Sequence, residues 1–159
     1  MRYPIFILCL LLVSAVNAQT LKKSVFSVSD GNVYPQDIKT DSKNDIIVCG
    51  NFWANSFKIN NLNLTSKGNL DIFLIKMDAN ANVLWGMSFG GEQEDNINSL
   101  HIDKDDNIII TGEYYGDSIS FGDKHLGKTP SSWQSDAYIA KISPTGKVLW
   151  AFSYGSINR

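Results

Sequence analysis

Beyond residue 20 the chain alternates short apolar runs with clusters of Asp, Asn, Ser and Gly, and no stretch sustains a 3.6-residue apolar period. Ile46 to Phe52 and Ile108 to Tyr114 are β-branched and aromatic runs bounded by Asp, Asn and Gly, which reads as strand. Asp71 to Met77 and Val83 to Phe89 flank the polar segment Asp78-Ala79-Asn80-Ala81-Asn82, the pattern of a hairpin. A second such pair surrounds Ser143-Pro144-Thr145-Gly146-Lys147, where Pro144 fixes φ and Gly146 frees it, as a tight turn requires. The pattern predicts an all-β protein.

These runs are written twice. Ile38-Lys39-Thr40-Asp41 leading into Asp45 to Phe52 matches Leu100-His101-Ile102-Asp103 leading into Asn107 to Tyr114 at a spacing of 62. Ser56-Phe57 and Leu62 match Ser120-Phe121 and Leu126 at 64, and Asp71 to Lys76 and Val83-Leu84-Trp85 match Asp136 to Lys141 and Val148-Leu149-Trp150 at 65. The drift places loops near Trp53 and Trp133. A period of this size signals a repeat architecture, and about four antiparallel strands per copy suggest a propeller blade. The expected organisation is a leader (1–18), a lead-in strand (19–32) and two blade-like repeats (33–94 and 95–159). That is two tandem four-stranded antiparallel sheets, a partial or fragmentary β-propeller.

The spaced elements Ser56-Phe57, Leu62 to Gly68, Asp71 to Lys76 and Val83-Leu84-Trp85 resemble the bacterial β-propeller repeat called SBBP. The second copy resembles it too, with Thr111-Gly112 and Gly146 nearer the usual pattern; the likeness covers residues 33 to 155. Copy one departs at Ala81, where the family tends to carry Gly, so that turn is expected to differ slightly. The resemblance implies a secreted or cell-surface protein, often large. Two blades cannot close a ring of four to eight, so the chain is expected to be a piece of a longer propeller or, less favoured, a protomer that self-associates.

The first residues change the picture of compartment. Arg2 precedes the apolar run Ile5 to Val13, and Val16-Asn17-Ala18 ends in a small residue before Gln19, the signature of a secretory signal peptide cut after Ala18. The run is shorter than the roughly 20 residues a membrane helix needs, so no integral membrane segment is expected after cleavage. Cys9 lies within that run rather than at its end, which argues against a lipid anchor, and Cys49 alone remains. One thiol forms no intramolecular disulfide, and its place in Ile46-Ile47-Val48-Cys49 reads as core. A net charge of −2 gives no basic footprint for nucleic acid and no acidic tail.

Candidate chemistry is sparse. Asp78, Asn80 and Asn82 open like a calcium loop, but Val83 stands where the loop needs Gly and Phe89 where it needs Glu, so a hairpin turn is expected. Asp103, Asp105 and Asp106 form the densest carboxylate cluster and are the candidate cation ligands. His101 and His125 align with Lys39 and Asn61, and they provide no zinc set. Neither histidine is placed by spacing against a serine, and no nucleophile elbow or phosphate loop occurs. Glu92 and Glu94 only imitate a glycosidase pair. Trp85 and Trp150 recur at one register and read as packing between blades, whereas Trp133 has no counterpart and is the candidate ligand-binding aromatic.

The resulting expectation is a non-catalytic secreted repeat protein, scaffold or ligand-binding surface, with no cofactor. Its rivals are a fragment of a propeller enzyme, lyase or glycan-active, lacking its catalytic site, and a carbohydrate-binding module. The expected partners are further blades or another copy.

Overall fold

A computed structural model describes residues 27–129 and 134–155; the leader, Cys9 and Trp133 lie outside them. Every regular element among the described residues is a strand. The first sheet has the order β2 (Asn32–Thr40), β3 (Ile46–Trp53), β6 (Asp71–Met77), β7 (Val83–Phe89). The second repeats it as β8 (Asp95–Ile102), β9 (Ile108–Tyr114), β12 (Asp136–Ile142), β13 (Val148–Tyr154), all neighbours antiparallel. Each copy thus carries a four-stranded, blade-like sheet, together a partial β-propeller.

Each copy also inserts a hairpin between its second and third sheet strands, β4 (Ser56–Ile59) with β5 (Leu62–Thr65) and β10 (Ser118–Phe121) with β11 (Lys124–Gly127). The lead-in strand β1 (Ser27–Ser29) pairs with β4 rather than with either four-stranded sheet. Both first strands bulge at the matching place, between Pro35 and Asp37 and between Ile97 and Ser99.

One turn is used four times. Asp41, Asp78, Asp103 and Ser143 each open it, their N–H donating to the carbonyl four residues on and their own carbonyl accepting three residues on. The Asp41, Asp78 and Asp103 carboxylates each accept two further turn N–H groups, and Ser143 Oγ accepts that of Lys147. The fourth residue has positive φ in every case: Asn44, Ala81, Asp106 and Gly146. The turn at Ala81 therefore does not differ as expected; its hydrogen bonds are those of the turn at Gly146.

Successive strand residues face opposite sides, and the two sides have separate cores. Ile47 and Cys49 of β3, Ile72 and Leu74 of β6 and Phe89 of β7 pack against Leu100, Ile108, Ile110, Tyr114, Tyr138, Ala140 and Ile142 of the second sheet. The other side of the first sheet, with Phe52, Phe73, Ile75 and Met77, packs with Phe57, Ile59 and Leu64 of its own hairpin. Burial raises the Cys49 thiol to about 11, which makes it a core residue rather than a nucleophile.

Candidate functional site at the seam between the sheets

The polar groups in the seam join the two sheets. Asn51 Nδ2 on β3 donates to the Asp95 carbonyl on β8 (2.7 Å). Asp37 accepts from the Leu100 N–H (3.1 Å), Trp85 Nε1 donates to the Pro144 carbonyl (3.1 Å), and Ser42 donates through N and Oγ to Asp106. Trp85 thus reaches from the last strand of one sheet to the last turn of the next, the inter-blade role its recurrence predicts.

Three carboxylates that head strands are buried, Asp71 and Asp95 at the seam and Asp136 at the place on the second sheet that matches Asp71. Asp71 and Asp136, matching residues at the start of β6 and β12, each accept a loop N–H through Oδ2, from Lys67 (2.5 Å) and Thr129 (2.6 Å). Asp95, the first residue of β8, accepts the Gly91 N–H (2.6 Å). In all three Oδ1 is buried with no hydrogen-bond partner. Asp71 and Asp95 converge on Gly90, where an added Cβ would fall 1.8 Å from Asp71 Oδ1 and 3.1 Å from Asp95 Oδ2. Gly155 stands against Asp136 in the same way, its Cβ position 2.3 Å from Oδ1. Burial, reinforced by the facing Asp71 charge, raises Asp95 to about 7 despite the Gly91 N–H and the Lys67 charge.

Directly above, the seam opens into a cleft of about 430 Å³ lined by Lys67, Glu92, Gln93, Tyr115, Asp117 and Ser118, among others. Lys67 and Gly91, whose N–H groups hold the buried carboxylates, are part of its wall. An exposed aromatic among carboxylate, amide, hydroxyl and ammonium groups is the chemistry of a polar-ligand site.

Away from the seam, the cluster at Asp103, Asp105 and Asp106 is divided among separate partners. Asp103 accepts the Asp105 and Asn107 N–H groups and pairs with Lys141 (2.8 Å), Asp105 pairs with Lys104, and Asp106 is bound by Ser42. Among the described residues no group of three or more His, Cys, Asp or Glu is arranged to hold a metal ion. His101 is exposed; His125 Nδ1 lies 2.8 Å from Ser120 Oγ, a contact set by the hairpin register, in which the two are cross-strand partners. Glu92 lines the cleft, whereas Glu94 is engaged through its carbonyl by the Tyr115 N–H (3.0 Å). Nothing in the sequence marks these carboxylates as buried, although Asp71 and Asp136 recur at the head of an apolar strand. Asp95 has no match in copy one, where Val33 stands, and so left no repeat signal.

Among the described residues no helix is long and apolar enough to cross a membrane. No family model matches the chain. It is similar to an uncharacterised WD repeat-containing protein of Acanthamoeba polyphaga mimivirus, 28% identical over 139 residues. That match takes in 71% of this chain and 10% of the viral protein, so the chain spans about a tenth of the relative, and the likeness supports a propeller-type repeat.

Proposed function

We propose that this protein is an exported, non-catalytic propeller-repeat scaffold that presents the cleft at its seam to a polar, polyhydroxylated ligand. The observation that carries this reading is the division of labour at the seam. Buried Asn51, Asp71 and Asp95 serve the joint and its loops, while Tyr115, Glu92, Gln93 and Asp117 remain on the open wall. The WD repeat relative supports the scaffold part, and the pattern from Arg2 to Ala18 supports export, as does the SBBP-like repeat. A glycan array probed with the mature chain tests the ligand class. Tyr115→Ala and Asp117→Asn are each expected to weaken binding about tenfold, and a chain that retains no glycan removes the reading. Mass spectrometry of the exported protein is expected to find Gln19 at its N-terminus.

A further inference from the structure

The seam buries one face of each sheet, and each of those faces has a twin on the same chain that is left open or half-open at positions buried in the seam, although on the first sheet Phe52, Phe73, Ile75 and Met77 are already covered by the chain's own hairpin. On the first sheet the face toward the seam carries Ile47, Cys49, Ile72, Leu74 and Phe89, all fully buried. Their counterparts on the second sheet, Ile109, Thr111, Ala137, Ile139 and Tyr154, form its outer face, and all remain partly or largely exposed. The contrast is sharpest at the last strand, where Phe89 is 1% exposed and Tyr154 68%. Phe152, the counterpart of half-buried Met87, is 55% exposed and lies 5.3 Å from the ring of Trp150, the counterpart of Trp85.

The opposite face shows the converse. On the second sheet Leu100, Ile108 and Ile110 are buried in the seam; on the first sheet their counterparts Ile38, Ile46 and Val48 are not, with Ile38 60% exposed against 2% for Leu100. The chain therefore carries both halves of a second seam, one at each end. We infer that the outer face of the second sheet receives the outer face of the first sheet of another copy of this chain, head to tail, in the geometry that joins the two sheets within one copy. A face that buries its twin in one place and stands open in another is complementary to a partner already described.

Polar residues around the two open faces fit the same joint. Transposed by one repeat, the Ser42–Asp106 contact becomes Lys104 with Asn44. Trp150 Nε1 takes the Ala79 carbonyl as Trp85 takes that of Pro144. Asp136, already set against Gly155, has the place Asp71 has against Gly90. A head-to-tail contact closes only as a ring. A ring of about four, six or eight such sheets would take the pair described here two, three or four times.

Light scattering of the mature chain after size exclusion tests this, independently of what the cleft binds. The expected particle is a closed dimer, trimer or tetramer. Ile38→Asp disables the head and Ile139→Asp the tail, so each is expected to lower the mass two- to fourfold while circular dichroism stays unchanged. Mixed together, the two variants retain one good tail and one good head and are expected to form a heterodimer that grows no further. Phe152→Ser, at a more exposed tail position, replaces Ile139→Asp if the latter unfolds. A native chain that stays monomeric up to about 100 μM, or an oligomer whose mass neither substitution changes, would overturn the inference.

Discussion

Ala81 holds a φ of 60°, a left-handed conformation in which its Cβ crowds the following carbonyl at a cost of about 1–2 kcal/mol for an L-residue. Gly146 occupies the matching place at 86° without that cost. The shared hydrogen bonds of the two turns show that the sequence at each end, not the fourth residue, selects the geometry. Ala81→Gly is therefore expected to raise stability by about 0.5–1 kcal/mol, after allowing for the greater entropy of Gly in the unfolded chain. Gly146→Ala is expected to lower it by a similar amount, and both are measurable by denaturant titration. The D-x-N-x-N pattern was legible as a turn because an Asp that caps its own turn is a local feature, whereas the Asp103, Asp105 and Asp106 cluster suggested cation ligands where the structure has a turn of the same kind. Buried Asp71 and Asp95 were not legible as a facing pair, because what brings them together is the packing of one sheet on the next.

At the scale of strands, one ion pair is written twice. Lys76 on β6 reaches back to Asp41 (2.7 Å) and Asp45 (3.2 Å) at the turn between β2 and β3, and Lys141 on β12 reaches Asp103 in the same way. The first pair is nearly sealed from solvent, the second is not. Burial alone would raise the Asp41 carboxyl, but Lys76 and the turn N–H groups outweigh it and hold it below its ordinary value. Lys76→Met leaves that carboxylate buried and unpaired, and is expected to cost about 3 kcal/mol. Lys141→Met should cost distinctly less, because water can replace the ammonium at Asp103; paired thermal melts compare them. Asp95 works in the opposite sense. Its proton is held more tightly in the fold, at about 7 against an ordinary 3.8, while Asp71, Lys67 and the rings of Tyr114 and Tyr138 surround it. The stability it contributes is complete below its unfolded value and is lost as pH rises from there through about 7. Asp95→Asn is accordingly expected to raise the melting temperature at pH 8 and to leave it nearly unchanged at pH 4. A variant that melts lower at pH 8 would show that the carboxylate is satisfied in the native seam.

For the whole molecule, the repeat told most of the story and the inserted hairpins the rest. The strand runs from Ile46, Asp71, Ile108 and Asp136 fall where their apolar runs and bounding turn residues place them, since both signals are local to the sequence. What periodicity could not convey is that Phe57 and Phe121, alike in sequence, act at different ranges. Phe57 packs on Phe52 and Phe73 of its own copy (6.1 and 5.2 Å between ring centres), whereas Phe121 lies between Phe89 of the first sheet (5.1 Å) and Tyr138 of the second (4.9 Å). Truncating either buried ring should cost about 3–5 kcal/mol. Because the larger core is shared by both sheets, neither sheet retains its seam-facing core when the other opens, and the pair is expected to unfold as one unit. Phe57→Ala is therefore expected to speed native-state amide exchange in β9 and β12 as much as in β3 and β6, although its ring contacts are confined to the first copy. Phe121→Ala should do the same from the seam. Exchange that quickens in β3 and β6 alone after Phe57→Ala would mean that the second sheet stands without the first, and that the seam joins two units rather than making one.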